Sequence, residues 1–384
     1  MKKDILNQFK EVRLKTEQIT NPLEIEDYSV QPTMDVSPPK WHLAHTTWFF
    51  EQFILVNYKD DYEVFNKDFA YLFNSYYNNA GVRILRTDRG LMTRPTVKKV
   101  YEYRAYVSKH IEDLLNENSS KAVLELVEIG INHEQQHQEL LVYDIKYILG
   151  HQPLFPEYKS EFYPSEESGK KEFIAFKEGV YEIGHKENSF CFDNELGVHK
   201  VFLNSFEIAN TLVTNGEYLE FMDAGGYDNF NFWHSEGWDF IKKNNVKAPL
   251  YWHFVDGVWK HYNFNQLEEV SLNQAVMHIS YYEAYAYAQW KGMRLPTEFE
   301  WEVAADHFEW GRLWEWTSSA YQPYPNFTTA DGALGEYNGK FMLNLQVLRG
   351  ASVATSQGHS RKTYRNFFHS SLQWMFSGIR LVKK

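Results

Sequence analysis

The stretch SKAVLELVEIGINHEQQHQELLVYDIKYILG, residues 120–150, decides how the first part of the chain folds. It contains no proline, and its apolar residues recur every three or four positions. It therefore reads as one long helix, with Gly150 as its C-cap. Leu126, Gly130, His133, His137, Leu140, Asp144 and Ile148 share one stripe of that helix. The stripe turns inward, and the two histidines turn inward with it. Glu134 sits about 100° round from His133, Gln136 lies near the edge of the histidine stripe, and Gln138 lies further round. Two histidines four apart on a buried face offer a metal two adjacent ligands. The alternative is a pair of core histidines satisfied by hydrogen bonds, which is a weaker reading for two at this spacing than for one.

Other helices are needed to bury that stripe. SPPKWHLAHTTWFFEQFILVNY (residues 37–58) opens with Ser37 as N-cap and Pro38 in the first turn. RPTVKKVYEYRAYVSKHIEDLL (residues 94–115) again has a proline near its start, and a first helix covers roughly residues 3–18. Four long amphipathic segments within residues 1–150 pack most economically as a four-helix bundle. On the second segment, Trp41, His45, Trp48, Phe49, Gln52 and Val56 form the apolar face, so His45 points inward. His42 is rotated off that face, to the surface or to a supporting position. His45, His133 and His137 are thus the candidate metal ligands. On the residues alone, iron and zinc both remain open.

His133-Glu134-x-x-His137 is also, literally, the pattern of zinc peptidases. The residues that follow, QELLVYDIKY, supply neither the glycine nor the third histidine of the metzincin pattern. Glu161 could serve as a later glutamate ligand, but it falls outside the helix. The peptidase reading is therefore not favoured.

Residues 151–172 carry three prolines and many charges and read as a linker. Beyond it, over residues 173–384, the pattern changes to short β-like runs. FIAFKEGVYEIG and HKVFLNSFEIAN are examples, and SYYEAYAYAQWKG and PTEFEWEVAADH are short helices between turns. The fold class is α+β. The net charge of −12 argues against nucleic acid as a partner. The single cysteine, Cys191, rules out an intrachain disulfide and any cluster of cysteine ligands. No apolar run reaches the ~18–20 residues of a membrane span. The N-terminus lacks the apolar core of a signal peptide. The chain is expected to be cytoplasmic and to act on small molecules, away from membranes; its oligomeric state is not legible.

The motifs PPKWHLAHTTWFFEQF, NSYYNNAG, RGLMTRPTV and HEQQHQELL resemble those of the ergothioneine biosynthesis sulfoxide synthases. So do MRLPTEFEWEVAA, GRLWEWTSSAY, LRGAS, TYRNFF and SGIRLV, in that order along nearly the whole chain. The resemblance implies a DinB-like four-helix bundle packed on a C-terminal domain of the formylglycine-generating-enzyme type, a variant of the C-type lectin fold. Formylglycine generation itself uses active-site cysteines, and none follows Cys191. The C-terminal domain is thus expected to be scaffold and substrate pocket, with Trp301, Trp314 and Trp316 in its core.

The resemblance further implies an oxidoreductase that uses iron(II) and O2 to join a thiol to the imidazole carbon of Nα-trimethylhistidine (hercynine), giving a sulfoxide. His45, His133 and His137 would hold the iron. Its open positions would take the imidazole, the thiolate and O2, since a metal lowers a thiol's pKa. Tyr76 and Tyr77 match the tyrosine pair of the cysteine-using branch, as candidate catalytic residues that deliver a proton or hydrogen atom. Arg86 and Arg89 match a clamp for the thiol's carboxylate; Arg83 reads as a solvated charge. Gln136, Asn366, Phe367 and Phe368 match the residues for trimethylhistidine, whose quaternary ammonium suits aromatic faces. Trp374 and Phe376 read as core.

One departure bears on the donor. Relatives that use γ-glutamylcysteine carry an Asp directly after the Asn-aromatic pair and an Arg a few residues later. Here Phe368 stands in the first place, and HSSLQ offers no Arg. Free cysteine is the expected donor. The alternatives are γ-glutamylcysteine, plain histidine in an ovothiol-type reaction, a selenium donor, or a DinB-type zinc thiol transferase without O2. A lectin-like binding protein braced by the bundle would leave three inward histidines unexplained.

Overall fold

The computed structural model describes residues 2–75, 84–118, 120–158, 162–167, 169–329 and 338–384. The chain forms two compact units. The first is Met1–Lys159 with the short segment Ala354–His359, and the second is Ser160–Val353 with Ser360–Lys384.

Among the described residues, four long helices build the first unit: α1 (Lys2–Thr20), α2 (Pro39–Phe50), α3 (Val97–Glu117) and α4 (Lys121–Gly150). α1 packs on α4, and α2 packs on both α3 and α4. The apolar spacing explains the pairing. Ile5, Phe9, Val12 and Ile19 of α1 are buried, as are Val100, Tyr103, Val107, Ile111 and Leu114 of α3. Thr96 caps α3 by accepting from the Lys99 amide. Gly130 lets α4 approach closely, since a Cβ there would lie 2.5 Å from the ring of Phe50.

Several sequence expectations need correction here. Ser37 does not cap α2. The cap position is Pro38 and the helix begins at Pro39. Ser37 instead donates its amide to Asp144 and accepts from Arg89. Gly150 is the last helical residue of α4, and the cap is His151 with an ordinary negative φ. The second segment is not amphipathic, because all twelve residues of α2 are buried. Nor does its apolar face run straight to Val56. A π turn, Glu51–Leu55, widens the helix and leaves Val56 exposed. Glu51, in that turn, is fully buried and accepts from Tyr62, Tyr103 and the Phe65 amide.

The second unit is mixed. β1 (Phe173–Phe176), β4 (Phe206–Ala209), β13 (Val382–Lys383) and β8 (Met293–Arg294) form one sheet in that order, so the unit's first and last strands meet across β4. A second sheet runs β11 (Asn366–Phe368), β10 (Gln346–Gly350), β9 (Trp314–Ala320) and β12 (Ser377–Gly378). β2 (Gly179–Ile183) pairs with β3 (His199–Leu203). β5 (Trp252–Val255), β6 (Val258–Tyr262) and β7 (Leu267–Glu269) form a meander. Among the described residues, three α-helices start at capping boxes: Asn215–Asp223 from Thr214 and Glu217, Tyr281–Trp290 from Ser280 and Glu283, and Glu298–Ala304 from Thr297 and Glu300. Part of the stretch read as linker is built into this unit, since Glu166 bridges Gln274 and Arg312 pairs with Glu167.

Buried ion pairs join the C-terminal motifs. Arg349 of LRGAS pairs with Glu302, Arg365 of TYRNFF with Glu298 at 2.8 Å, and Arg380 of SGIRLV with Glu315 at 2.7 Å. Each arginine brings a separate piece of chain to a carboxylate on the Glu298–Ala304 helix or on β9. Removing one partner would strand a charge in the interior. Trp301, Trp314, Trp316 and Phe376 are fully buried and Trp374 nearly so, as core residues should be. Among the described residues, no helix is long and apolar enough to cross a membrane.

Candidate metal centre

α2 and α4 bring His45, His133 and His137 together, with candidate ligand atoms within 4.8 Å of one another and all three rings buried. His45 is stacked on Trp41, one turn before it (4.4 Å, 12°), and on Trp48, one turn after it (5.5 Å, 16°). The indoles fix the plane of the imidazole. His45 Nδ1 lies 2.6 Å from the Phe73 carbonyl, which can only accept, so the proton is on Nδ1 and the lone pair on Nε2. That Nε2 is buried and makes no hydrogen bond. His137 Nδ1 is engaged by His42 at 2.9 Å, which leaves its Nε2 to the site.

The electrostatics suit a cation. Burial is the main force holding the histidines neutral. It pushes His45 and His137 well below the ordinary imidazole range, with the neighbouring histidines adding to the effect, and takes His133 to about 3. Neutral imidazoles with free lone pairs are what a divalent metal requires. The donor set, the orphaned Nε2 and the fixed ring planes all fit a metal ion. Three neutral nitrogen ligands would leave several coordination positions for other molecules.

Glu134 belongs to a different site. Fully buried, it faces α1 and α3, where Arg13, Arg104 and Thr16 donate to its carboxylate. Those arginines hold its pKa at about 2 against the effect of burial. A carboxylate fixed in this way cannot act as a base at the histidines, and the peptidase reading fails on this geometry.

Arg89 is buried, has its guanidinium carbon 3.4 Å from the centre of the Trp41 ring, and donates to Ser37 and Ser75. Arg86 is exposed and donates to the Asp35 carbonyl. Gln136 is half-buried on α4, next to the face covered by 354–359. There Thr355 donates to Glu139, Ser356 to Gln138, and His359 meets Gln135. Tyr76, Tyr77 and Arg83 lie outside the described residues. Asn366, Phe367 and Phe368 form β11 in the second unit, and strand alternation divides them. Phe367 is stacked on Tyr321 at 4.1 Å within an apolar cluster. Asn366 and Phe368 share the other face, where Phe368 meets Trp374 edge-on.

His42 is not at the surface. It is buried between His137 and Asp144. Sequence reasoning gave Asp144 no role, although a charged residue on a buried helical stripe was a signal. Arg13 and Arg104 left none, since surface arginines look the same in sequence.

Residues 8–141 match the profile of the DinB superfamily. Residues 158–311 match that of the sulfatase-modifying factor enzyme 1-like domain. The chain thus joins a helical DinB domain to a domain of that second type. It is similar to the hercynine oxygenases of Mycolicibacterium smegmatis (32% identity over 240 residues, 50% of this chain and 55% of the relative) and Mycobacterium tuberculosis (30% over 238 residues, 50% and 55%). It is also similar to that of Mycolicibacterium thermoresistibile (28% over 309 residues, 66% and 67%). The matched stretch spans about half the length of the first two relatives.

Proposed function

We propose that this chain is an iron(II)- and O2-dependent sulfoxide synthase that joins the thiol of cysteine to the imidazole carbon of Nα-trimethylhistidine. The observation that carries the reading is the buried convergence of His45, His133 and His137, with Glu134 locked away from them. The names of the relatives support the trimethylhistidine substrate. The reaction balances without an external reductant. One S–H and one C–H bond break, a C–S and an S–O bond form, and O2 leaves its second oxygen as water. When bound, iron(II) supplies the activation of dioxygen.

The protein's own groups do the rest. The three histidines orient the reacting centre through fixed rings, and the indoles of Trp41 and Trp48 keep bulk water from one side of it. Holding both substrates in place converts a three-body encounter into a local one. Tyr76 and Tyr77 are assigned proton delivery. Arg89 and Arg86 are assigned the carboxylate of the thiol, and Gln136 the trimethylhistidine. Asn366 and Phe368, on one face of β11, with Phe367 behind them, are assigned the trimethylammonium end. Phe368 offers no charge to a γ-glutamyl group, which favours free cysteine.

The test is anaerobic loading with Fe(II), then exposure to O2 with trimethylhistidine and either cysteine or γ-glutamylcysteine, with products read by mass spectrometry. A sulfoxide adduct with cysteine is expected. Adduct only with γ-glutamylcysteine would overturn the donor. Thiol transfer with zinc and without O2 would overturn the reaction class.

A further inference from the structure

We propose that Asp144 and His42 form a positioning relay that fixes the tautomer of His137 and so selects Nε2 as its donor atom. The inference rests on the metal-centre reading above. Asp144 Oδ2 accepts from the Ser37 amide at 2.8 Å and lies 2.9 Å from His42 Nε2. On the far side of the same ring, His42 Nδ1 lies 2.9 Å from His137 Nδ1. All three side chains are buried, so water cannot replace any of these contacts.

The proton positions follow from donor and acceptor counting. A carboxylate only accepts, so His42 carries its proton on Nε2. A neutral imidazole has one N–H, so His42 Nδ1 is a bare acceptor. The short contact between the two Nδ1 atoms then requires the proton to come from His137. His137 is left with its lone pair on Nε2, which faces the other two histidines. The opposite arrangement would put a proton on His137 Nε2 and remove a ligand. His45 reaches the same state by donating to the Phe73 carbonyl. His137 differs in that its chain ends in a charge, which makes its Nε2 a better donor. Arg89 anchors the relay by donating to Ser37 Oγ at 2.8 Å.

Two measurements test this. The first is nitrogen-15 NMR of histidine-labelled, metal-free wild-type protein. His137 is expected to be protonated at Nδ1 and His42 at Nε2. The reverse assignment at either ring overturns the relay, whatever the variants do. The second is cobalt(II) affinity by chelator competition, alongside thermal unfolding. His42→Leu should weaken binding by roughly 10–100-fold. His42→Asn places an amide oxygen at the position of Nδ1 and should recover much of that loss. Asp144→Asn keeps an acceptor without the charge and should weaken binding less than His42→Leu. A merely structural role predicts instead that affinity follows stability, with the apolar leucine no worse than asparagine. His42→Leu binding cobalt within about threefold of wild type would sink the relay alone. Wild type that binds no cobalt would sink the relay and the metal centre together.

Discussion

Glu134 Oε2 accepts a hydrogen bond from Arg13 at 3.0 Å, while its other oxygen is taken by Arg104 and by Thr16 at 2.6 Å. This arrangement decides what the His-Glu-x-x-His spacing is for. The glutamate ties α4 to α1 and α3, and the histidines alone face the site. Glu134→Gln would take the carboxylate from the buried Arg13 and leave the buried Arg104 only its pair with Glu17. It should cost about 3–5 kcal/mol of stability, read from urea unfolding. A loss below about 1 kcal/mol would contradict the structural role.

The histidines make the metal-free protein acid-sensitive. Their folded pKa values lie below the unfolded value of about 6.5, with His133 at about 3, so the unfolded chain takes up protons first as pH falls. Their contribution is intact above about pH 6.5 and declines below it. Glu134, held at about 2 against 4.5 unfolded, adds a second decline below about pH 4.5. Urea midpoints measured with a chelator present should be level from about pH 8 to 7 and fall towards pH 5. A midpoint that rises over the same acid range would refute this account.

Gly130 is a packing glycine. Alanine would gain about 1 kcal/mol of helix propensity. Its methyl would meet the Phe50 ring at 2.5 Å, and Phe50 is wedged edge-on against Phe9. Overpacking of this kind costs about 1–3 kcal/mol, so Gly130→Ala should be net destabilising. Adding Phe50→Leu should relieve part of the loss, which a double-mutant cycle would measure. A Gly130→Ala protein more stable than wild type would show that the ring moves freely.

How much of this was legible in the sequence depended on periodicity. On α4 the stripe read from the sequence holds for His133, His137 and Asp144, although Leu126 and Leu140 on it are only half-buried and Glu134, Gln138 and Lys146 off it are buried. His45 was found by the same rule on α2, although α2 has no solvent face at all. There the rule succeeded for His45 and left His42 open between the surface and a supporting position, of which the structure shows the second. In α2 the polar side chains off the stripe meet other buried polar groups instead. The π turn at Glu51–Leu55 was invisible for a related reason: it shifts the register without any glycine or proline to mark it.

In the second unit, short β-like runs and two short helical stretches could be read, but the pairing of distant strands left no local trace. The arginines of the C-terminal motifs gave no hint that each closes a buried ion pair with a glutamate tens of residues away. β11 shows the opposite case. Strand alternation was available from the sequence and separates Phe367 from Asn366 and Phe368, once the stretch is known to be a strand.

The most direct test of the central claim is iron content after anaerobic loading and desalting, compared across wild type, His133→Ala and Glu134→Gln. The account predicts near-stoichiometric iron in wild type, almost none in His133→Ala, and retention in Glu134→Gln wherever that variant stays folded. Iron retained at the wild-type level by folded His133→Ala would contradict it.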